Sequence, residues 1–324
     1  MRVLVTGATG FVGRRLSESL VEKGYRVKAL ARASSDVSFL KSRGVEILYG
    51  DIRDLAAVRK AVRGCEQVYH LAASTSWPRR PAKREFHAVN VEGTANVSRA
   101  ALEAGAVRLV YTSSVGVYGT YRSPVDESTG VRPDSFYRES KLAGEDLVLA
   151  SYRMGLPVVI ARLATVFGPG SLRWLGLSRA IAAGRFRFIG SGENHVHDVY
   201  ISDVVEGLHR CAETRRIAGR CYILAGKEPV MLKELVAAIA RELELDPPNS
   251  RWPAAPFVAY RRLAAVAYRR LGVEPPFSRK FDLFLDNRVF SNSRAQEELG
   301  YSPRISIPEG MRETLAWYRE NGHL

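Results

Sequence analysis

An α/β fold is what this sequence predicts: a doubly wound parallel sheet with a smaller, mostly helical C-terminal substrate lobe. Three observations predict it. The chain opens on an apolar run, Val3-Leu4-Val5, then Gly7-x-x-Gly10-x-x-Gly13, then an amphipathic stretch from Phe11 to Lys23. Short apolar runs then alternate with helical patterns, which implies parallel strands joined by crossover helices. After Gly168-Pro169-Gly170 the alternation weakens and helical patterns dominate. The expected division is therefore 1–170 for the sheet domain and 171–324 for the lobe.

The opening stretch reads as strand, tight turn and helix. Glycine allows the backbone to turn sharply and to approach a pyrophosphate closely. The helix that follows points free N–H groups at an anion. In this context the glycine spacing predicts a dinucleotide site. Further strands are expected at Arg26–Arg32, Val45–Asp51, Glu66–Ala73, Val107–Ser114 and Pro157–Leu163. Helices are expected at Leu55–Val62 and Arg84–Ala104. Later helical patterns lie near Leu232–Leu243, Phe257–Leu271, Arg294–Leu299 and Glu309–Glu320. A late strand around 219–226, centred on Cys221–Gly226, is expected to return to the sheet region. In such sheets ligands gather beyond the carboxyl ends of the strands. Gly7, Arg32, Asp51, Ala73 and Ser114 all stand at those ends.

Composition narrows the function. At 324 residues the chain is long enough for a large core. No apolar run reaches membrane-spanning length, and no secretory pattern opens the chain. Cys65, Cys211 and Cys221 are too scattered for a disulfide framework or a zinc site, so a cytoplasmic location is expected. The net charge is +14. No nucleic-acid-binding motif accompanies it, so an anionic cofactor and a basic surface are the nearer explanation.

The chemistry centres on Tyr137-x-x-x-Lys141. Residues four apart share a helix face, and an ammonium beside a phenol favours the phenolate. That suits a general acid/base near neutral pH. The same spacing also arises as an inert surface pair. Here it follows a strand ending in Thr112-Ser113-Ser114, whose hydroxyls can hold a reacting oxygen. His195 and His197 have metal-ligand spacing but no third ligand nearby, so no metal is expected. Asp203, at the start of a helical run, reads as a cap or a structural group. Ala254–Gly272 is apolar with paired arginines eight residues apart. It is expected to pack its apolar side inward with the arginines in water, and to cover a substrate pocket; a membrane-surface helix is the alternative.

The whole chain resembles an extended short-chain dehydrogenase/reductase of the NAD-dependent epimerase/dehydratase and 3β-hydroxysteroid dehydrogenase-like kind. The resemblance rests on TGATGFVG (Thr6–Gly13), GDIRD (Gly50–Asp54), VYHLAA (Val68–Ala73) and NVEGT (Asn90–Thr94). It continues through YTSSVGVYG (Tyr111–Gly119), YRESK (Tyr137–Lys141) and RLATVFGPG (Arg162–Gly170). It implies a Rossmann sheet domain and a catalytic set of Ser114, Tyr137 and Lys141, with Lys141 also holding the nicotinamide ribose. The implied cofactor-binding set is Gly7, Thr9, Gly10, Phe11, Val12, Gly13, Arg32, Asp51, Ile52, Leu71, Ala72, Ala73, Asn90, Tyr137, Lys141 and Ala164. Within it, Asp51 and Ile52 border the adenine and Asn90 supports the site from its helix. A homodimer built on the Tyr137 helix is implied as well.

Cofactor choice turns on the end of the second strand. A carboxylate there favours NAD, and an arginine accommodates the 2′-phosphate of NADP. The sequence has Ala31-Arg32-Ala33-Ser34-Ser35, which favours NADP, with NAD as the alternative. The expected function is hydride transfer between a secondary alcohol and a ketone of a small-molecule substrate. A nucleotide-sugar epimerase with bound NAD is the alternative, and a non-catalytic sensor a third class that the intact Ser114, Tyr137 and Lys141 set disfavours. Dehydration is disfavoured because Val115 and Gly116 stand where sugar dehydratases of this family carry Asp-Glu. Thr165, and the absence of arginine from His195–Val205, depart from the sugar-nucleotide pattern. Arg288 or Arg294 remains available as a phosphate clamp.

Overall fold

The computed structural model describes residues 1–75, 83–121, 124–277 and 279–324. Seven parallel strands form the central sheet: β1 (Arg2–Thr6), β2 (Arg26–Ala31), β3 (Glu46–Tyr49), β4 (Gln67–His70), β5 (Arg108–Ser114), β6 (Val158–Leu163) and β7 (Cys221–Leu224). Their spatial order is 3-2-1-4-5-6-7. This is a Rossmann sheet with its direction of winding reversed between β1 and β4, where a crevice opens for ligand. The middles of the central strands are apolar, as burial on both faces requires: Val3, Leu4, Val5, Val68, Tyr69, Leu109 and Val110 are all inaccessible to solvent.

Every strand expected from the sequence is present; the first runs one residue further at each end, and the others are shortened. β4 stops at His70 because the Leu71 N–H makes the last ladder bond, to the Thr6 carbonyl. Leu71–Ala73 then leave the sheet and are free to face a ligand. The late strand joins the main sheet as its edge, Cys221 opposite Ile160 and Leu224 opposite Leu163. The sheet thus takes its seventh strand from beyond residue 170. The helix Ile201–Glu213 packs on the sheet beside the helix Phe11–Glu22, with His209 Nε2 bonded to Ser19 Oγ at 3.0 Å.

The run expected as one helix from Arg84 to Ala104 is interrupted. It begins as an α-helix, widens to a π-helical turn over His87–Glu92, and resumes as an α-helix over Gly93–Glu103. Such turns displace one residue from the regular ladder and occur often at functional sites. Here the turn carries Asn90. The helix Phe136–Arg153 starts on Ser135, whose hydroxyl accepts the Arg138 N–H at 3.3 Å. The buried Glu274, from the C-terminal lobe, accepts the Phe136 N–H at 3.0 Å. The lobe therefore fixes the start of the helix that carries Tyr137.

Candidate active site

Two connected hollows lie over the carboxyl ends of the strands. The first, of about 690 Å³, runs along the glycine turn. Gly7 adopts φ +75°, and a Cβ there would stand 2.6 Å from the Ala72 nitrogen. A Cβ on Gly13 would stand 2.7 Å from Ala8 Cα. Both positions exclude a side chain, and the groove left behind is the cradle a pyrophosphate requires. The groove is lined by Gly7, Thr9, Gly10, Phe11, Val12, Gly13, Arg32, Asp51, Ile52, Leu71, Ala72 and Ala73. All twelve were expected there from the sequence.

Ser35, one of the two hydroxyls expected beside Arg32, lines the same wall, whereas sequence reasoning missed Arg53, Ser74, Thr75 and Glu85 there. Arg53 grips Asp51 with two bonds, Nε to Oδ1 at 3.0 Å and Nη2 to Oδ2 at 2.8 Å. Hydrogen bonds from Arg53, and the nearby charge of Arg32, hold the Asp51 carboxyl below its usual range. Two guanidinium groups, of Arg32 and Arg53, therefore stand at this end of the groove. The signal was present in Asp51-x-Arg53, but a pair two residues apart is not visible without the loop. Ser35 lines the groove, brought round by the turn from Arg32 to the Ser35 N–H.

The second hollow, of about 640 Å³, shares Phe11, Val12, Leu71, Ala73 and Thr75 with the first. Ser114, Tyr137, Lys141 and Ala164 line it. Ser114 and Tyr137 line it together, and Ser114 Oγ accepts the Gly116 N–H at 3.0 Å. The expected lowering of the phenol pKa by Lys141 is not what the structure displays. Burial raises the Tyr137 pKa, with the Ser114 hydroxyl and Arg138 opposing. The Lys141 ammonium lies instead 4.3 Å from the centre of the Tyr111 ring, and burial depresses its pKa to about 7. Desolvation costs both groups their charged forms.

Asn90 does not line either hollow; it is fully buried. Its Oδ1 accepts the Ser74 N–H at 2.7 Å, and its Nδ2 donates to the Ser74 carbonyl at 3.0 Å and to Ser140 Oγ at 2.9 Å. Ser140 Oγ donates in turn to the Tyr137 carbonyl at 2.7 Å. Asn90 thus ties the groove wall to the helix of Tyr137, the supporting place expected of it but not a cofactor contact. A second buried chain runs beside it. Thr94 donates to the Asn90 carbonyl at 2.7 Å, so His70 Nε2 must donate to Thr94 (2.9 Å). His70 Nδ1 then accepts from Thr6 (2.7 Å). Burial pushes the His70 pKa down to about 3, in keeping with this neutral tautomer.

The far wall of the second hollow is charged. Arg138 bonds Asp134 at 2.6 Å and Asp282 at 3.0 Å, and Arg279 bonds Asp134 at 3.0 Å. Arg173 and Arg288 stand near Asp198, whose pKa burial raises to about 6. Arg294 is not on this wall and lies 3.8 Å from Glu127. His195 bonds Asn287, and His197 bonds the Gly226 carbonyl and the Phe290 N–H. Among the described residues no three potential ligands come together for a metal. Asp203 does not cap its own helix; its carboxylate accepts the Arg304 and Ile305 N–H groups at 3.1 and 3.2 Å, fastening the C-terminal segment.

A winding sheet, a glycine cradle and a Ser-Tyr-Lys cluster at the junction of two hollows define a dinucleotide-binding protein of the short-chain dehydrogenase/reductase class. Residues 3–225 match the model of the NAD dependent epimerase/dehydratase family, and the chain belongs to that family, among its extended members. It is 32% identical to 3beta-hydroxysteroid-dehydrogenase/decarboxylase isoform 1 of Arabidopsis thaliana, over 96% of this chain and 78% of that one. It is 31% identical to the 2-alkyl-3-oxoalkanoate reductase of Stenotrophomonas maltophilia, over 98% of this chain and 99% of that one. The solved structure of MoeE5 with UDP-glucose and NAD superposes with a TM-score of 0.79 at 27% identity, covering 99% of both chains. No helix among the described residues is long and apolar enough to cross a membrane.

Proposed function

We propose that this protein is an NADP(H)-dependent oxidoreductase interconverting a secondary alcohol and a ketone, with Tyr137 as general acid/base. The observation that carries this is that Ser114, Tyr137 and Lys141 line one hollow at the place where it shares its wall with the glycine groove. When bound, the cofactor supplies or accepts the hydride at the substrate carbon. The chain's own residues do the rest. Ser114 holds the substrate oxygen, and Tyr137 donates a proton to it as the carbonyl becomes an alcohol, or takes that proton in reverse. Lys141, when protonated, stabilises the phenolate left on Tyr137 and bonds the ribose. The reductase activity named for a relative of equal length supports this reading.

NADP over NAD is supported by the chemistry of the adenosine end. β2 ends at Ala31 and is followed by Arg32, with no carboxylate, and Asp51 in the same groove is paired with Arg53. Arg32 and Ser35 are positioned to bond a 2′-phosphate. A second reading, a nucleotide-sugar epimerase with bound NAD, is favoured by Arg173, Arg279 and Arg288 on the cleft wall and by the UDP-glucose held in MoeE5. A homodimer through the helix Phe136–Arg153 belongs to either reading, and sedimentation at micromolar concentration tests it.

The decisive substitution is Tyr137→Phe. It is expected to leave cofactor affinity intact and to lower turnover by roughly two to four orders of magnitude, the usual worth of a general acid/base. Lys141→Met is expected to damage both. Net cofactor oxidation in step with substrate reduction distinguishes a reductase from an epimerase, which leaves the cofactor balance unchanged. Full activity in the Tyr137→Phe protein refutes the assignment.

A further inference from the structure

The helix Ala255–Leu271 is expected, from sequence, to bury an apolar side. Of its 17 residues only Ala264 is buried. Its inner side makes specific contacts: Arg261 pairs with Asp286, and Tyr268 lies 5.4 Å ring to ring from Phe136, the neighbour of Tyr137. Its outer side carries exposed aliphatic side chains. Leu263 is 71% exposed and Val266 52% exposed; three apart, they share one face, with Ala259 a turn earlier. Leu271, the last residue of the helix, and Val273 beyond it are 74% and 52% exposed. Toward the other end, Pro256, Phe257, Tyr260, Phe277 and Phe281 enclose an open apolar hollow of about 350 Å³.

The same segment is basic. Between Asp246 and Glu274 there is no acidic residue, while Arg251, Arg261, Arg262, Arg269 and Arg270 all fall there. Arg262, Arg269 and Arg270 are exposed on the outer side with Leu263 and Val266. Exposed aliphatic side chains interspersed with arginines on one helix side are the composition of an interaction site. A second copy placed on it by two-fold symmetry would set these arginines against themselves. Nucleic acid would satisfy the arginines and the rings of the hollow offer stacking, but it would leave the exposed aliphatic side chains of Leu263, Val266, Leu271 and Val273 against a charged backbone with nothing apolar to cover them. An anionic bilayer meets both chemistries at once: guanidinium groups reach the phosphates while the aliphatic side chains enter the acyl boundary.

We propose that the helix Ala255–Leu271 docks this protein on the surface of an anionic lipid bilayer, lying in the interface without crossing it. The docked helix is the one whose inner side holds Phe136, so the cleft stands beside the membrane. Co-sedimentation of the full chain with phosphatidylglycerol vesicles, and with phosphatidylcholine vesicles as the neutral comparison, tests this. Binding is expected to the anionic vesicles and to weaken with salt. The Arg262→Ala/Arg269→Ala/Arg270→Ala protein should lose on the order of a hundredfold in partitioning, about fivefold per arginine. The neutral Leu263→Ser/Val266→Ser protein should lose at least roughly tenfold, because insertion is what it removes. All these positions face outward, and retained cofactor binding shows each variant folded. Unchanged binding by the serine variant would mean mere adsorption of a basic chain and overturns docking. No binding by the parent overturns it too. So does a dimer in solution that Leu263→Ser dissociates, which assigns the face to a second copy.

Discussion

Removing the Asn90 amide is a sharp test of how this site is held together. Asn90→Ala deletes three buried hydrogen bonds, of 2.7, 3.0 and 2.9 Å, to Ser74 and Ser140. Each is worth about 1 kcal/mol net. The Ser74 N–H and carbonyl lose their partner, while Ser140 keeps its bond to the Tyr137 carbonyl. The space left by the amide adds a cavity term. Together these place the loss at about 3–4 kcal/mol, a large share of the 5–15 kcal/mol typical of a folded domain. Urea unfolding followed by far-ultraviolet circular dichroism measures it. With a slope of roughly 3 kcal/mol per molar, the midpoint should fall by about 1 M. Cofactor affinity should fall as well, because Ser74 lines the groove that Asn90 itself does not reach. A midpoint shift under about 0.3 M with unchanged cofactor affinity would refute the idea that Asn90 ties the groove to the Tyr137 helix.

Three further outcomes are expected. Arg32→Ala should lower NADP(H) affinity by roughly ten- to a hundredfold, the worth of a charge-assisted bond to phosphate, while NAD(H) affinity stays nearly level; titration of both cofactors measures it, and tighter NAD binding by the parent would favour the epimerase reading. Stability should fall on acidification because of His70: between its ordinary 6.5 and about 3 the unfolded imidazole binds a proton that the folded one refuses. The unfolded state then holds more protons, so stability rises with pH, and each unit of acidification through this window removes up to about 1.4 kcal/mol. Urea midpoints at pH 7 and pH 4.5 should therefore differ less in a His70→Gln protein than in the parent. Glu145→Ala should cost about 3–5 kcal/mol in the same assay, because it strands the buried Arg162 guanidinium that Glu145 grips at 3.0 and 2.7 Å.

By itself the amino-acid order determined the seven-strand winding and the place of the glycine cradle. Strands and glycine turns are local: period, apolar content and the need for a missing Cβ are all written within a few residues. It also drew Ser114, Tyr137 and Lys141 together, since a strand end and one helix face bring them to the same edge. The particulars that depend on distant groups were decided only by the tertiary structure. Asn90 and its π-turn are settled by Ser74 and Ser140, sixteen residues before it and fifty after. Lys141 sits over Tyr111 at a pKa of about 7, far from its ordinary value, because of a desolvation that no spacing encodes. The helix Ala255–Leu271 reads as amphipathic either way round. Which side faces solvent was decided by the Arg261–Asp286 pair and the Tyr268–Phe136 contact, whose members lie 25 and 132 residues apart in the chain. Sequence periodicity gives an apolar stripe, and only the surrounding fold says whether that stripe has anything to cover it.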